Sequence, residues 1–420
     1  MRALFVSVVV LSSFEAVAEP PVVLHAARAL APESGQVTAP AWLFVSEGRI
    51  VSVSAARPAV DAGVIELGDT TLVPGFIDAH AHLLHAEGAS EDAMVGEAVS
   101  MSEADRALRA TSFAAQVLRA GFTTVRDLGN SGRGGDVSLR RAIKAGWVRG
   151  PRVLASTRAL APPLGQFGRL APSHLGLATQ EYAIVRTPAE GTAAVVDALA
   201  EGADVIKVIV DVSPPRELDQ ATLEAIVTRA HAAKVKVAAH CVSDDAAARA
   251  VAAGVDSIEH GYQLSDSTLS AMAKKGVALV PTDYPLRFYE AFAPAAPPED
   301  RAATLEHFAG FRASSKARLQ RARAKGVAIV YGSDAYAVTP LADRGREMAL
   351  VFEAYAEAGL TPLEVLRAVT SSAAKHLGIE GGSLAPKSRA DVIALEGNPL
   401  TDVTALGRVR FVMKAGVVQP

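Results

Sequence analysis

Five short segments far apart in the chain carry side chains that could hold metal ions or move protons. His80 and His82 stand two apart in Pro74-Gly75-Phe76-Ile77-Asp78-Ala79-His80-Ala81-His82. Side chains two apart on a strand share a face, so both imidazoles can converge on one cation. Lys207 interrupts the apolar run Asp204-Val205-Ile206-Lys207-Val208-Ile209-Val210. Desolvation lowers the pKa of such an amine, and the neutral form can take up carbon dioxide as a carbamate, an anionic ligand with two oxygens. On this run alone, a Lys that snorkels to the strand end or pairs with a carboxylate is the simpler account. His240 closes Val237-Ala238-Ala239, His260 follows Ser257-Ile258-Glu259, and Asp334 follows Val330-Tyr331-Gly332-Ser333. Singly, each is a satisfied His or a turn-forming Asp. Together they put polar ligands at the carboxyl ends of apolar runs, which packing alone does not explain.

The elements that must position these residues recur from about Val73 to Gly382 as an Ala-rich helical stretch, a Gly, and a short β-branched run. Leu118-Arg119-Ala120-Gly121 precedes Phe122, Glu201-Gly202 precedes Asp204, Ala253-Gly254 precedes Val255, Lys275-Gly276 precedes Val277, and Lys325-Gly326 precedes Val327. Gly past a helix stops it in the left-handed conformation, and the Val/Ile run that follows reads as a buried strand. Thr187-Pro188-Ala189-Glu190 and Thr361-Pro362-Leu363-Glu364 read as helix starts, with a Thr cap and Pro at the first helical position. With Thr71 to Ile77, Arg152 to Ser156 and Val235 to Ala239, the runs make eight strands alternating with helices. That count predicts an α/β fold, a (β/α)8 TIM barrel over 73–382, whose active sites form at the carboxyl ends of the strands. A doubly wound open sheet shows the same alternation. Residues 19–72 and 383–420 hold short alternating segments with turn signals and predict a small β-sandwich domain built from both chain ends. Ala159 to Arg186 and Thr282 to Glu299 read as long irregular loops.

A single Cys among 420 residues excludes an internal disulfide and a Cys-rich zinc module, so any metal must be held by His and carboxylates. The 42 basic residues against 45 acidic ones offer no field for a polyanion, which argues against nucleic acid as a partner. Arg2, the apolar run Ala3 to Phe14 and Ala16-Val17-Ala18 fit a signal peptide over 1–18, hence a periplasmic or secreted protein. No later apolar run reaches the roughly 20 residues of a membrane span, so no membrane partner is expected. Self-association into a homo-oligomer stays open.

The set His80-Ala81-His82, Val205-Ile206-Lys207, Ala239-His240, Glu259-His260-Gly261 and Gly332-Ser333-Asp334 resembles the metal-dependent amidohydrolase superfamily, in its binuclear, carboxylated-lysine type. Leu72-Val73-Pro74-Gly75-Phe76-Ile77-Asp78 and Ala390-Asp391-Val392-Ile393-Ala394-Leu395 support it, and Xaa-Pro dipeptidase-like and ochratoxinase-like members are the most similar kind. The resemblance implies that His80 and His82 bind a buried metal ion and His240 and His260 a more exposed one. It also implies that N-carboxylated Lys207 bridges the two and that Asp334 both touches the buried ion and acts as general base. Two divalent ions would share a hydroxide that attacks the amide; the imidazole and carboxylate ligands suit zinc, and manganese and cobalt fit them as well. The implied substrate is a small amide with a free carboxylate: a dipeptide, an N-acyl amino acid or an ochratoxin-like aryl amide. One departure is that Cys241-Val242-Ser243 follows His240 where several dipeptidase-like relatives carry a second His.

Further candidates follow from position. His85 could reach substrate, Asp127 could orient a ligating His or close a turn, and Tyr284 and Tyr336 follow strands and could line the pocket. Arg344 or Arg216 would suit a substrate carboxylate. Cys241 reads as a buried thiol, and His25, His231, His307 and His376 as packing or surface residues. Two other functions compete: a mononuclear deaminase or cyclic-amide hydrolase of the same superfamily, against which Lys207 speaks, and a catalytically silent exported binding protein, against which Asp334 speaks.

Overall fold

The computed structural model describes residues 20–88, 93–213, 216–338 and 343–420, and the expected signal peptide lies outside them. Parallel strands run through the middle of the chain in two ladders. One has the order Arg152–Ala155, Phe122–Asp127, Phe76–Ala81. The other has the order Tyr182–Ile184, Ala159–Ala161, Val205–Ile209, Lys236–Cys241, Ser257–His260, Ala278–Val280. Single main-chain contacts stand at the gaps: Asp204 N–H donates to Ala155 C=O at 2.7 Å, and residues 328–331 bond Leu279 on one side and Ala79 on the other (Ala79 N–H to Tyr331 C=O, 2.9 Å). No continuous ladder closes the sheet into a ring among the described residues. The architecture is mixed α/β of the TIM-barrel type with an additional β layer.

Helices follow the strands as their Gly and Thr signals predict. Pro188–Glu201 begins on the Thr187 side chain and ends on Gly202 at φ 106°, and Asp244–Ala253 ends on Gly254 at φ 91°. Apolar faces of the helices pack on the strands, with Val195, Ile226, Leu269, Leu319 and Val351 against Ile206, Val208, Ile258 and Leu279 in one buried cluster. Phe76, Phe122 and Phe352 meet at centroid distances of 5.3 to 6.2 Å, contacts worth about 0.5–1.5 kcal/mol each beyond area burial.

The first predicted strand, Thr71 to Ile77, is two strands. Thr70–Pro74 pairs antiparallel with Val392–Glu396 in a six-stranded sheet that draws on both chain ends, and Phe76–Ala81 starts the parallel layer. Gly75 makes the break: a Cβ there would lie 2.3 Å from the Thr123 hydroxyl, so no other residue fits without moving the neighbouring strand. His80 consequently sits inside a strand rather than past its end. A second, four-stranded sheet (Arg49–Ser54, Ala41–Ser46, Val22–Ala26, Gly63–Glu66) shares an apolar core with the first through Leu24, Leu43, Ile50, Leu72, Val392 and Met413. The two stretches expected to be irregular are partly ordered. Gly176–Glu181 and Tyr182–Ile184 lie in the first, and Leu286–Glu290 in the second.

Candidate metal centre

At the carboxyl ends of the parallel strands a cavity of about 200 Å³ is lined by His80, His82, His85, Lys207, His240, His260, Asp334 and Tyr336. All six residues assigned to metal binding from the sequence reach it. Strand ends aim them by an uncommon backbone turn: His260 (φ 64°), Thr282 (φ 53°) and Asp334 (φ 53°) are all left-handed, a conformation that side chains other than Gly adopt rarely and that clusters at functional sites. Arg318, fully buried, stabilises this region by donating to the His260 carbonyl and to both oxygens of Asp283 at 2.6 Å.

His82 Nδ1 lies 2.9 Å from the Gly129 carbonyl, which can only accept, so Nδ1 carries the proton and Nε2 a lone pair. His80 Nδ1 lies 2.8 Å from Glu259 Oε2, with the same result. Both Nε2 atoms face Asp334 Oδ1, at 3.4 Å from His80 and 3.1 Å from His82. Burial holds His80 well below its ordinary pKa, and the nearby Lys207 amine adds to it. Burial pushes Asp334 up, but His80, His82 and Lys207 outweigh it and hold the carboxyl below its ordinary range. With each Nδ1 engaged by an acceptor, both Nε2 atoms and Asp334 Oδ1 converge where a cation would satisfy all three, and that is the test the donor set meets for a metal. His80, His260 and Asp334 offer ligand atoms all within 4.8 Å of one another. This tight group draws on both of the histidine pairs that the sequence assigned to separate ions. His240 packs its ring against His260 at 4.5 Å, and burial with the Lys207 charge lowers its pKa to about 3, so it is a neutral imidazole.

Lys207 is buried, and burial lowers its pKa to about 8. Among the described residues its amine has no hydrogen-bond or ion-pair partner, so the ion-paired Lys that its apolar strand suggested is not what the structure contains. A buried, unpartnered amine beside four imidazoles and Asp334 fits conversion to an anionic ligand.

The sequence profile of the amidohydrolase family matches residues 71–418. The chain belongs to the amidohydrolase family. It is 27% identical over 360 residues to ochratoxinase of Aspergillus niger, covering 79% of this chain and 71% of that one. It is also 27% identical over 365 residues to an uncharacterised protein of Mycobacterium tuberculosis, covering 85% and 86%. A Xaa-Pro dipeptidase with methionine bound in its active site matches at TM-score 0.82 and 27% identity, over 95% of this chain and 99% of that one. The amidohydrolase is a hydrolase of carbon–nitrogen (amide) bonds that acts on small molecules, with a His/Asp group able to hold a metal.

Of the substrate candidates, His85 and Tyr336 line the cavity of this amidohydrolase, and Tyr284, Arg344 and Arg216 do not. Arg344 is buried and donates to the carbonyls of His82, Ala335, His85 and Tyr336, tying two strand-end loops together while stacking 4.4 Å over Phe113. Its donors are therefore unavailable to a substrate carboxylate. Tyr284 stacks on Phe288 at 3.9 Å inside the core, and Arg216 donates to Gly165 and Phe167 carbonyls. Asp127 takes the turn role, accepting from the N–H of Leu83 and Gly129. Burial raises the Cys241 thiol pKa well above its ordinary value, which leaves it unreactive.

Sequence reasoning missed Glu259, which is fully buried between His80, Arg126 and Ser257. It also missed Glu87, Asn130, Gln166 and Tyr262 of the cavity wall. A Glu inside an apolar strand beside a ligand His was the available signal for Glu259, since a carboxylate so placed must have partners.

Proposed function

We propose that this amidohydrolase is a secreted binuclear metal-dependent enzyme that cleaves the amide bond of a dipeptide, N-acyl amino acid or ochratoxin-like aryl amide. One observation carries the reading: four His, Asp334 and an unpartnered buried Lys207 share one small cavity. His80 and His82 would hold one ion and His240 and His260 the other, with Lys207 as its carbamate between them and zinc as the metal. Divalent ions bound there would polarise the substrate carbonyl and acidify a water toward neutral pH. Asp334, ionised because its pKa is lowered, accepts a proton from the attacking water at its carboxylate. It returns that proton to the amide nitrogen as the carbon–nitrogen bond breaks, so water is divided between a carboxylic acid and an amine. Tyr262, Tyr336, Met94 and Leu128 narrow the cavity and keep bulk water from the reacting atoms.

The same proposal takes the barrel, 73–382, as a closed eight-stranded ring and residues 19–72 with 383–420 as a separate β-sandwich. The backbone contacts across the two gaps and the sheet shared by both chain ends support it. Export rests on Arg2, the apolar run after it and Ala16-Val17-Ala18.

The tight group of His80, His260 and Asp334 favours a second reading, a mononuclear site acting on a cyclic amide or amidine. Metal analysis of the purified protein with a panel of dipeptides and acyl amino acids separates the two. Two ions per chain, hydrolysis lost on chelation and regained with zinc are the expected result. One ion with activity on a cyclic amidine selects the second reading, and no turnover of any amide by the metal-loaded protein sinks both.

A further inference from the structure

Beyond the metal-facing groups, the polar wall of the cavity consists of Glu87, His85, Asn130, Gln166, Tyr262 and Tyr336. No arginine lines it among the described residues. A substrate carboxylate would thus meet no guanidinium, whereas Glu87 adds a second carboxylate beside Asp334. The Glu87 backbone is fixed: its N–H donates to Tyr336 C=O at 2.9 Å, and its C=O accepts from Val338 N–H at 2.8 Å. Glu87 Oε2 is hydrogen-bonded to His85 Nε2 at 3.3 Å, a long contact that engages only one oxygen of the carboxylate. The imidazole's shorter tie runs the other way, Nδ1 to Glu97 Oε2 at 2.5 Å. Glu87 Oε1 has no partner among the described residues, and the side chain keeps 19% exposure toward the cavity. A carboxylate with a free oxygen in a confined space is stabilised by a cation that can donate to it.

We propose that Glu87 binds the ammonium of a free amine close to the scissile carbonyl. The site then takes dipeptide-type substrates with an unblocked N-terminus in preference to N-acylated or aryl amides. An α-amine has a pKa near 8 and is mostly protonated at neutral pH, so the contact pairs opposite charges. The proposal rests on the amide-hydrolase reading for its substrate class but not for its contact, and the experiment reads the two separately.

The metal-loaded enzyme and its Glu87→Gln and Glu87→Asp variants are assayed on a dipeptide and on the same dipeptide N-acetylated. Calorimetry in parallel compares binding of alaninamide with N-acetylalaninamide. The wild type is expected to favour the free amine by about tenfold or more in kcat/KM and in affinity, as losing one charge-assisted hydrogen bond implies. Glu87→Gln should reduce that preference at least tenfold, with Glu87→Asp in between. Selective binding of alaninamide that depends on Glu87, without turnover of any peptide, keeps the contact and sinks the hydrolase reading alone. Equal or better handling of the acetylated partners by the wild type overturns the proposal, as does an unchanged preference in Glu87→Gln.

Discussion

His80 Nδ1 stands 2.8 Å from Glu259 Oε2, and the other oxygen of that carboxylate lies 2.8 Å from Arg126 Nη2. All three residues are sealed from solvent, so the carboxylate sets which imidazole nitrogen keeps its proton and leaves Nε2 bare for a ligand. Glu259→Gln preserves the shape but removes the negative partner. Zinc affinity, read by chelator competition, is expected to fall about 10–100-fold with circular dichroism unchanged. Unaltered affinity would mean that His80 needs no carboxylate behind it.

Lys207 makes a pH-dependent prediction. Burial lowers its pKa from 10.5 to about 8, so the neutral amine that reacts with carbon dioxide predominates above pH 8 rather than above 10. In metal-free protein with ¹³C-bicarbonate, a carbamate carbon signal should grow as pH rises through about 8. Lys207→Ala should abolish the signal and lower metal content, with partial rescue of activity by short carboxylic acids. A signal that persists in the variant would place the carbamate on another amine.

For Asp334, the expected loss in Asp334→Asn is about 10²–10⁴-fold in kcat, the usual contribution of a positioned acid–base group. The thermal midpoint should change little, because the amide can still approach His82. Near-normal turnover would remove Asp334 from the proton path.

His85 ties stability to pH. Burial acts to lower its pKa, but hydrogen bonds to Glu87 and Glu97 outweigh burial and raise it from 6.5 to about 9. The same contact with His85, joined by Arg109, holds Glu97 down at about 2 against the upward push of burial. A raised folded-state pKa contributes stability that is fully present below pH 6.5 and is lost as pH climbs through about 9. Denaturant unfolding should therefore show stability declining across that window, by at most about 3 kcal/mol from this group. His85→Asn should flatten the decline, and an equally steep decline in the variant would assign it elsewhere.

Local chemistry carried much of this protein's legibility. His80 inside its strand and His82 one residue past its end both turn toward Asp334, as their two-residue spacing predicts, and Gly202 and Gly254 stop helices where the next strand begins. Those signals depend only on backbone geometry and neighbours in the chain, so the alternating strands, the residues that meet in the cavity and the family could be read from residue order. Position in the chain did not reveal direction. Arg344 and Tyr284 follow strands as Tyr336 does, yet one donates to buried carbonyls and the other stacks in the core.

The sequence by itself therefore determined which groups could bind a cation and at which end of the strands they would stand. Only the tertiary structure decided that Gly75 divides one apolar run between two sheets, that Glu259 lies behind His80, and that Glu87 rather than an arginine lines the cavity. The reason is range: a strand's period is set by residues two apart, whereas Glu259 meets His80 across 179 positions, and packing of distant segments selects that partner.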